Sequence, residues 1–162
     1  MRRQTVLGFV ICTLLVVAPL SSSVATNYKV YPGVLCVPDR QDTSDYSYEN
    51  GAFKQGSTQC VSAFCPIHRD EVWDSNWDEL KVFVDDANSS GDNIECTAEV
   101  LKSDGSRAPT NSVYTMGSGT ETISIPDPNS SAGSWALYGF VCTFPSSDAG
   151  DKHAIFGYRV EE

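Results

Sequence analysis

His68, Arg69 and Asp70 place a titratable base, a fixed cation and a carboxylate next to one another. Such a set predicts a small acid–base or anion-binding site at the end of a strand. His153 is the second histidine, and either histidine beside a carboxylate would be the candidate base of a small secreted hydrolase. Catalysis also needs an oriented nucleophile, and no Gly-x-Ser-x-Gly motif occurs. A structural ion pair between Arg69 and Asp70 is the simpler interpretation, so no catalytic residue is assigned.

An acidic segment, residues 86–92 with the sequence DANSSGD, resembles the beginning of a calcium-binding loop. It has oxygen-bearing or backbone ligands at alternate positions and a glycine at the sixth. The twelfth position of such a loop is a bidentate Glu, and here it is Thr97. The sequence therefore predicts at most a weak calcium site, formed by Asp85, Asp86 and Asp92, with an ordinary polar turn as the alternative. It indicates no other cofactor.

Trp73 and Trp77 lie four residues apart among Asp and Asn side chains. Aromatic faces beside hydrogen-bonding groups are typical of carbohydrate sites, so this pair is a candidate platform for a sugar. One helical turn would place both rings on the same side, and strand geometry would place them on one face about 13 Å apart. Tryptophan is also a common buried packing anchor, which is the alternative interpretation.

The N-terminal residues predict export. Arg2 and Arg3 precede an uncharged apolar stretch, and small residues follow at Ser23 and Ala25. This order is that of a secretory signal peptide, residues 1–25, cleaved after Ala25. The apolar stretch of about 15 residues is short of the roughly 20 that a spanning helix needs. We therefore expect one domain, residues 26–162, in the extracellular or periplasmic space, with no membrane span.

The charge of that domain restricts its partners. The whole chain has 11 basic and 21 acidic residues and a net charge of −10. Loss of Arg2 and Arg3 with the signal peptide leaves a net charge near −12. Such a field repels nucleic acid and anionic lipid surfaces. The expected partner is instead an extracellular molecule or a glycan.

The pattern of apolar residues predicts strands almost throughout. Leu80, Val82 and Val84 alternate with polar residues, and the segment 94–100 alternates in the same way. The polar residues between them predict a hairpin, and a single helical turn is expected at 74–79. Further strands are predicted at 29–37, 59–67, 112–116, 121–125, 134–144 and 154–160. About eight strands separated by turns favour an all-β fold, an antiparallel β-sandwich of the jelly-roll or immunoglobulin-like type.

Secretion predicts disulfides for the cysteines that follow residue 25, namely Cys36, Cys60, Cys65, Cys96 and Cys142. Cys96 and Cys142 both lie in the middle of predicted strands and are expected to bond across them. Cys36 then pairs with Cys65 or Cys60. An offset of five residues places Cys60 and Cys65 on opposite faces of one strand, so these two do not bond to each other. The preferred pair is Cys36–Cys65, which leaves Cys60 as a free thiol that could join two chains in a disulfide dimer.

Four segments, Tyr48–Ala52, Cys65–Asp70, Val141–Pro145 and Phe156–Glu161, occur in an order that suggests a family. The pattern resembles a loose group of small secreted bacterial proteins that carry a Cys-Pro-x-x-Arg-Asp motif, here Cys65–Asp70. The resemblance implies a signal peptide, a β fold and two disulfides. No activity is attached to that group, so it implies no catalytic residue. Cys60 departs from the pattern, which implies that it is the surplus cysteine.

The leading functional interpretation is a secreted, non-enzymatic domain that binds an extracellular partner or forms part of a surface structure. The first alternative is a carbohydrate-binding module that uses Trp73 and Trp77. The second alternative is a small hydrolase that uses His68 or His153.

Overall fold

The computed structural model of the chain describes residues 28–38, 45–68, 79–87, 92–101, 104, 106, 111–126, 137–147 and 152–161. These residues form two antiparallel sheets packed face to face, which is the predicted β-sandwich. The predicted signal peptide lies outside the described residues. In the described ranges no helix is long and apolar enough to span a membrane.

The strands are β1 (Tyr28–Pro32), β2 (Val37–Pro38), β3 (Tyr46–Glu49), β4 (Ala52–Gln55), β5 (Val61–Ile67), β6 (Glu79–Asp86), β7 (Glu95–Leu101), β8 (Ser112–Tyr114), β9 (Gly119–Ile125), β10 (Leu137–Phe144) and β11 (Ala154–Glu161). The first sheet has the order β3-β4-β11-β6-β9, with β1 also paired to β11. The second sheet has the order β2-β5-β10-β7-β8. A 3₁₀ turn, Gly33–Leu35, carries the chain from β1 in the first sheet to β2 in the second.

Alternating side chains build the core between the sheets. Leu80, Val82 and Val84 of β6 are buried, whereas the residues between them are partly exposed. The same alternation buries one face of β7. Phe140 of β10 contacts Tyr158 of β11 edge to face, with ring centroids 4.9 Å apart. The inward faces predicted for β6 and β7 are thus confirmed.

The hairpin predicted from β6 and β7 is wrong. β6 pairs with β11 and β9, whereas β7 pairs with β10 and β8 in the other sheet. The segment between them therefore crosses from one sheet to the other. At this crossing the Ile94 backbone N–H donates to Oδ2 of the buried Asp86, and Thr115 donates to the same oxygen. Alternation establishes which face of a strand is buried, but it does not establish the partner of that strand.

The structure has more strands than the eight predicted, because short strands were missed. The segment predicted as one strand over 29–37 is broken by the 3₁₀ turn into β1 and β2. The hairpin of β3 and β4 was not predicted. Its turn contains Asn50 and Gly51 with φ values of 53° and 81°, the left-handed conformations that a two-residue hairpin turn requires. Glu79, the last residue of the predicted helical turn, begins β6, and residues 74–78 lie outside the described residues.

Two disulfides staple the second sheet. Cys96 of β7 lies directly opposite Cys142 of β10, and the two are bonded. Cys36, just before β2, is bonded to Cys65 of β5. All four are fully buried, and Cys60 is a free, exposed thiol. These are the pairs preferred from the sequence, and the disulfide dimer through Cys60 stays a prediction.

Candidate functional site

A surface pocket of about 510 Å³ lies on the outer face of the first sheet. Three strands contribute to its floor through one cross-strand row, in which Ala154 of β11 pairs with Lys54 of β4 on one side and with Asp85 of β6 on the other. Two strand spacings separate the backbones of Lys54 and Asp85, which is roughly 9–10 Å. Because Ala154 carries only a methyl group, the row forms a depression between two longer charged side chains.

A β-bulge places an aromatic ring beside this depression. The pairing of β11 with β6 shifts between Ile155 and Gly157, so that Phe156 is the extra residue on β11. Bulges re-aim side chains, and they are common next to functional sites. Ile155 remains buried in the core, whereas Phe156 is 42% exposed and lines the pocket.

Charged groups of both signs complete the lining. Lys54 Nζ lies 2.9 Å from Glu49 Oε2. This hydrogen bond and the charge of Lys54 hold the pKa of the Glu49 carboxyl below its ordinary value, and the charge of Lys152 lowers it further. Lys152 and Asp85 line the same pocket. Two cations therefore balance two carboxylates around one exposed ring.

The cationic surroundings of Glu49 favour its charged form. A glycosidase needs one carboxyl group with a raised pKa, which acts as the general acid. The pKa of Glu49 is shifted in the opposite direction because Lys54 stabilises its charged form. Glu49 is thus an unsuitable proton donor at neutral pH.

The two histidines considered for catalysis do not meet. His68 is exposed just after β5, whereas His153 is fully buried just before β11. The β5 end near His68 pairs with the start of β10, and the His153 ring stacks on Phe144 at the end of β10. About six residues of β10 separate these positions, which is roughly 20 Å.

His153 belongs to the core. The Ala87 backbone N–H donates to His153 Nδ1 at 3.2 Å, and Asp86 Oδ1 lies 3.3 Å from the same nitrogen. With 0% exposure, His153 has no access to a substrate.

The acidic candidates for calcium also separate. Asp85 points to the outer face of the first sheet and lines the pocket, whereas Asp86 is buried on the opposite face of β6. Asp92 is exposed before β7, beyond the sheet crossing. Among the residues with described positions, no group of three or more His, Cys, Asp and Glu side chains could hold a metal ion. A calcium site therefore stays a prediction.

Several of the residues singled out from the sequence lie outside the described residues: Trp73, Trp77, Arg69 and Asp70. His68 is described, and its backbone carbonyl accepts hydrogen bonds from Lys29 Nζ and the Tyr31 hydroxyl. Its part in the structure is thus to hold β1 near the end of β5.

Of the residues that line the pocket, Asp85 was singled out from the sequence, as a weak calcium ligand, and the others were missed. One sequence pattern points to Phe156. The segment Ile155-Phe156-Gly157-Tyr158 has adjacent apolar residues and a glycine, and it therefore breaks the alternation of apolar and polar residues that a regular strand shows. An isolated glycine in a strand is a recognised sign of a bulge. The row of Lys54, Ala154 and Asp85 has no such sign, since its members are far apart in the sequence.

No protein-family model matches the sequence, and no curated protein matches it either. Solved structures with a similar arrangement include a low-affinity xylan-binding module, CBM86, from the gut symbiont Roseburia intestinalis, with 19% identity and a TM-score of 0.48 over 84% of this chain and 95% of that one. The carbohydrate-binding module CBM36, in complex with calcium and xylotriose, has 8% identity and a TM-score of 0.49 over 83% and 99%. The xylan-binding module CBM15 has 12% identity and a TM-score of 0.48 over 85% and 97%. At these identities and TM-scores the likenesses do not assign a ligand to this chain.

Proposed function

We propose that this protein is a secreted, non-enzymatic domain that binds a neutral carbohydrate in the pocket beside Phe156. The observation that carries the proposal is the composition of that pocket. An exposed aromatic ring stands next to a methyl-floored depression, and charged groups of both signs surround it. Small-molecule sites have volumes of about 300–1,000 Å³ and are mostly apolar with a few polar groups; this pocket has such a volume and a more highly charged lining.

The balance of charge selects the class of ligand. An anion would meet the carboxylates of Glu49 and Asp85, and a cation would meet the ammonium groups of Lys54 and Lys152. A hydroxyl group both donates and accepts hydrogen bonds, so a sugar satisfies an ammonium donor and a carboxylate acceptor with neighbouring hydroxyls. The apolar face of a sugar ring can at the same time stack on Phe156.

Secretion is part of the proposal. The predicted signal peptide supports it, and so do two buried disulfides, Cys36–Cys65 and Cys96–Cys142, because such bonds persist in oxidising compartments. The pair Trp73 and Trp77 considered from the sequence lies outside the described residues and stays a separate prediction.

Calorimetric titration with a panel of neutral, acidic and amino-sugar oligosaccharides tests the function. We expect binding of neutral members, and we expect Phe156→Ala to weaken it at least tenfold, a loss of about 1.4 kcal/mol. Asp85→Asn should weaken binding less, since the amide keeps one acceptor oxygen. Both residues lie at the surface, so the melting temperature should change little.

Matched controls separate the pocket from a general effect of the substitutions. Tyr114→Ala removes an aromatic ring that is 53% exposed on the second sheet, and Asp92→Asn removes an exposed carboxylate outside the pocket. Both variants should bind as the wild type does. A protein that binds no neutral oligosaccharide, or whose affinity is unchanged by Phe156→Ala, would contradict the proposal.

A further inference from the structure

The outer face of the first sheet continues from the pocket along β11 toward its C-terminal end. Inward residues of β11 pair with inward residues of β1, as Tyr158 does with Tyr31, whose rings stack at 4.9 Å. The intervening residues of β1 therefore point outward. Tyr28 and Val30 are two of them, with 58% and 64% of their surface exposed.

Tyr28 provides a second aromatic platform on this face. It lies opposite Glu161 of β11, and the Arg159 guanidinium lies 5.5 Å from the centroid of its ring. Arg159 Nη2 in turn lies 3.4 Å from Glu79 Oε2, and Lys81 Nζ lies 2.8 Å from the same oxygen. This chain of contacts holds charged, hydrogen-bonding groups at the sheet surface, with the guanidinium over one face of the exposed Tyr28 ring.

The surface next to Phe156 has a gap at one position of β11. Gly157 follows Phe156 and has no side chain, and it pairs with Phe83 of β6, which is partly exposed on the same face. From Gly157 to Glu161, the partner of Tyr28, β11 advances four residues, which is about 13 Å at roughly 3.3 Å per residue. That span is longer than one sugar ring and runs nearly straight along the strand.

From this geometry we infer that the ligand is an extended, linear, neutral polysaccharide of the β-1,4-linked type, which lies along β11 from Phe156 to Tyr28. The inference rests on the proposed carbohydrate function. Equatorial β-1,4 linkages give a straight ribbon that presents a ring face and hydroxyls at each unit, which matches aromatic rings alternating with charged groups. An α-1,4-linked glucan coils and does not follow a straight strand.

The same face is poorly suited to a protein partner. The centres of protein interfaces are depleted of Lys, Glu and Asp. Here Lys81 lies in the row between the aromatic rings, and Glu79 lies beside Glu161 in the row of Tyr28. The continuity of the face with the pocket also favours one ligand that occupies both.

The experiment is a titration with β-1,4-linked xylo-, gluco- and manno-oligosaccharides, each from the disaccharide to the hexasaccharide, and with the maltose series. In at least one β-1,4 series, the wild type should bind longer oligomers more tightly, and Tyr28→Ala should remove this gain, a loss of at least tenfold for the hexasaccharide. The disaccharide affinity should stay unchanged in Tyr28→Ala and fall in Phe156→Ala. Tyr114→Ala, the aromatic control on the second sheet, should change neither.

Several outcomes would overturn the inference. They are an unchanged hexasaccharide affinity in Tyr28→Ala, an equal loss for all lengths in that variant, and a maltose series that gains affinity with length as the β-1,4 series does. An effect of Phe156→Ala on the disaccharide together with no effect of Tyr28→Ala retains the proposed function and removes the extended site. If Phe156→Ala has no effect on any oligomer, the proposed pocket itself fails.

Discussion

Gly33, in the 3₁₀ turn between β1 and β2, should tolerate no side chain. A Cβ atom at this position would lie 1.9 Å from the Ile155 carbonyl oxygen and 3.1 Å from the Phe53 amide nitrogen. Both are backbone atoms of paired strands, so neither can rotate away as a side chain would. Overpacking usually costs roughly 1–3 kcal/mol, and we expect Gly33→Ala to cost about 3 kcal/mol because only a backbone shift relieves the contact. For a domain of this size the melting temperature should fall by about 6–12 °C.

Two other glycines serve as controls for this prediction. Gly51 has a φ of +81° and no neighbouring atom within 4 Å, so Gly51→Ala should cost only the left-handed conformation, about 1 kcal/mol. At Gly117 a Cβ atom would make an ordinary contact of 3.6 Å with the Glu121 side chain, and Gly117→Ala should change stability by less than about 0.5 kcal/mol. Urea and thermal unfolding without reductant measure all three. If Gly33→Ala is as stable as Gly117→Ala, the steric reasoning is refuted.

Two further predictions concern the disulfides and alkaline pH. Replacing Cys96 and Cys142 together by Ala opens a loop of 46 residues and should lower the free energy of unfolding in urea by about 4 kcal/mol. Cys60→Ser removes only a free thiol and should leave that free energy unchanged. Equal losses in the two variants would contradict this prediction. Burial, with a smaller effect of Tyr31, raises the pKa of Tyr158 above its ordinary value of 10.0. Above pH 10 the Tyr158 of the unfolded chain loses its proton before that of the folded chain does. The contribution of Tyr158 to the free energy of unfolding is therefore present below pH 10 and is lost as the pH rises above it. The urea midpoint should therefore fall more steeply above pH 10 in the wild type than in Tyr158→Phe, and equal slopes would show that Tyr158 makes no such contribution.

The sandwich could be predicted from the sequence because long strands such as β5, β6 and β7 alternate in a regular way. Strand partners could not, and β6 and β7 show why. A short polar segment between two alternating strands is equally compatible with a hairpin and with a crossing between sheets. The choice depends on which distant strands lie beside each, here β11 for β6 and β10 for β7.

The candidate site could not be predicted from the sequence for a related reason. Lys54, Ala154 and Asp85 become neighbours only through the pairing of β4, β11 and β6. None of these residue types is distinctive by itself, and an alanine in a strand gives no hint that it forms the floor of a pocket. By contrast, the adjacent residues Asn50 and Gly51 are a strong local sign of a hairpin, so the pairing of β3 with β4 can be predicted from the sequence.

The pairing of the first described strand with the last has a consequence for the order of folding. β11 lies inside the first sheet, where it contacts β1, β4 and β6, and Tyr28 pairs with Glu161. The second sheet likewise waits for β10 and for Cys142. The first sheet cannot close before β11 is available, nor the second before β10, and contacts between such distant residues form slowly. In the proposed secreted protein, this delay keeps the chain unfolded during export. The Cys36–Cys65 bond can form early, whereas the Cys96–Cys142 bond forms only after β10 has crossed the membrane.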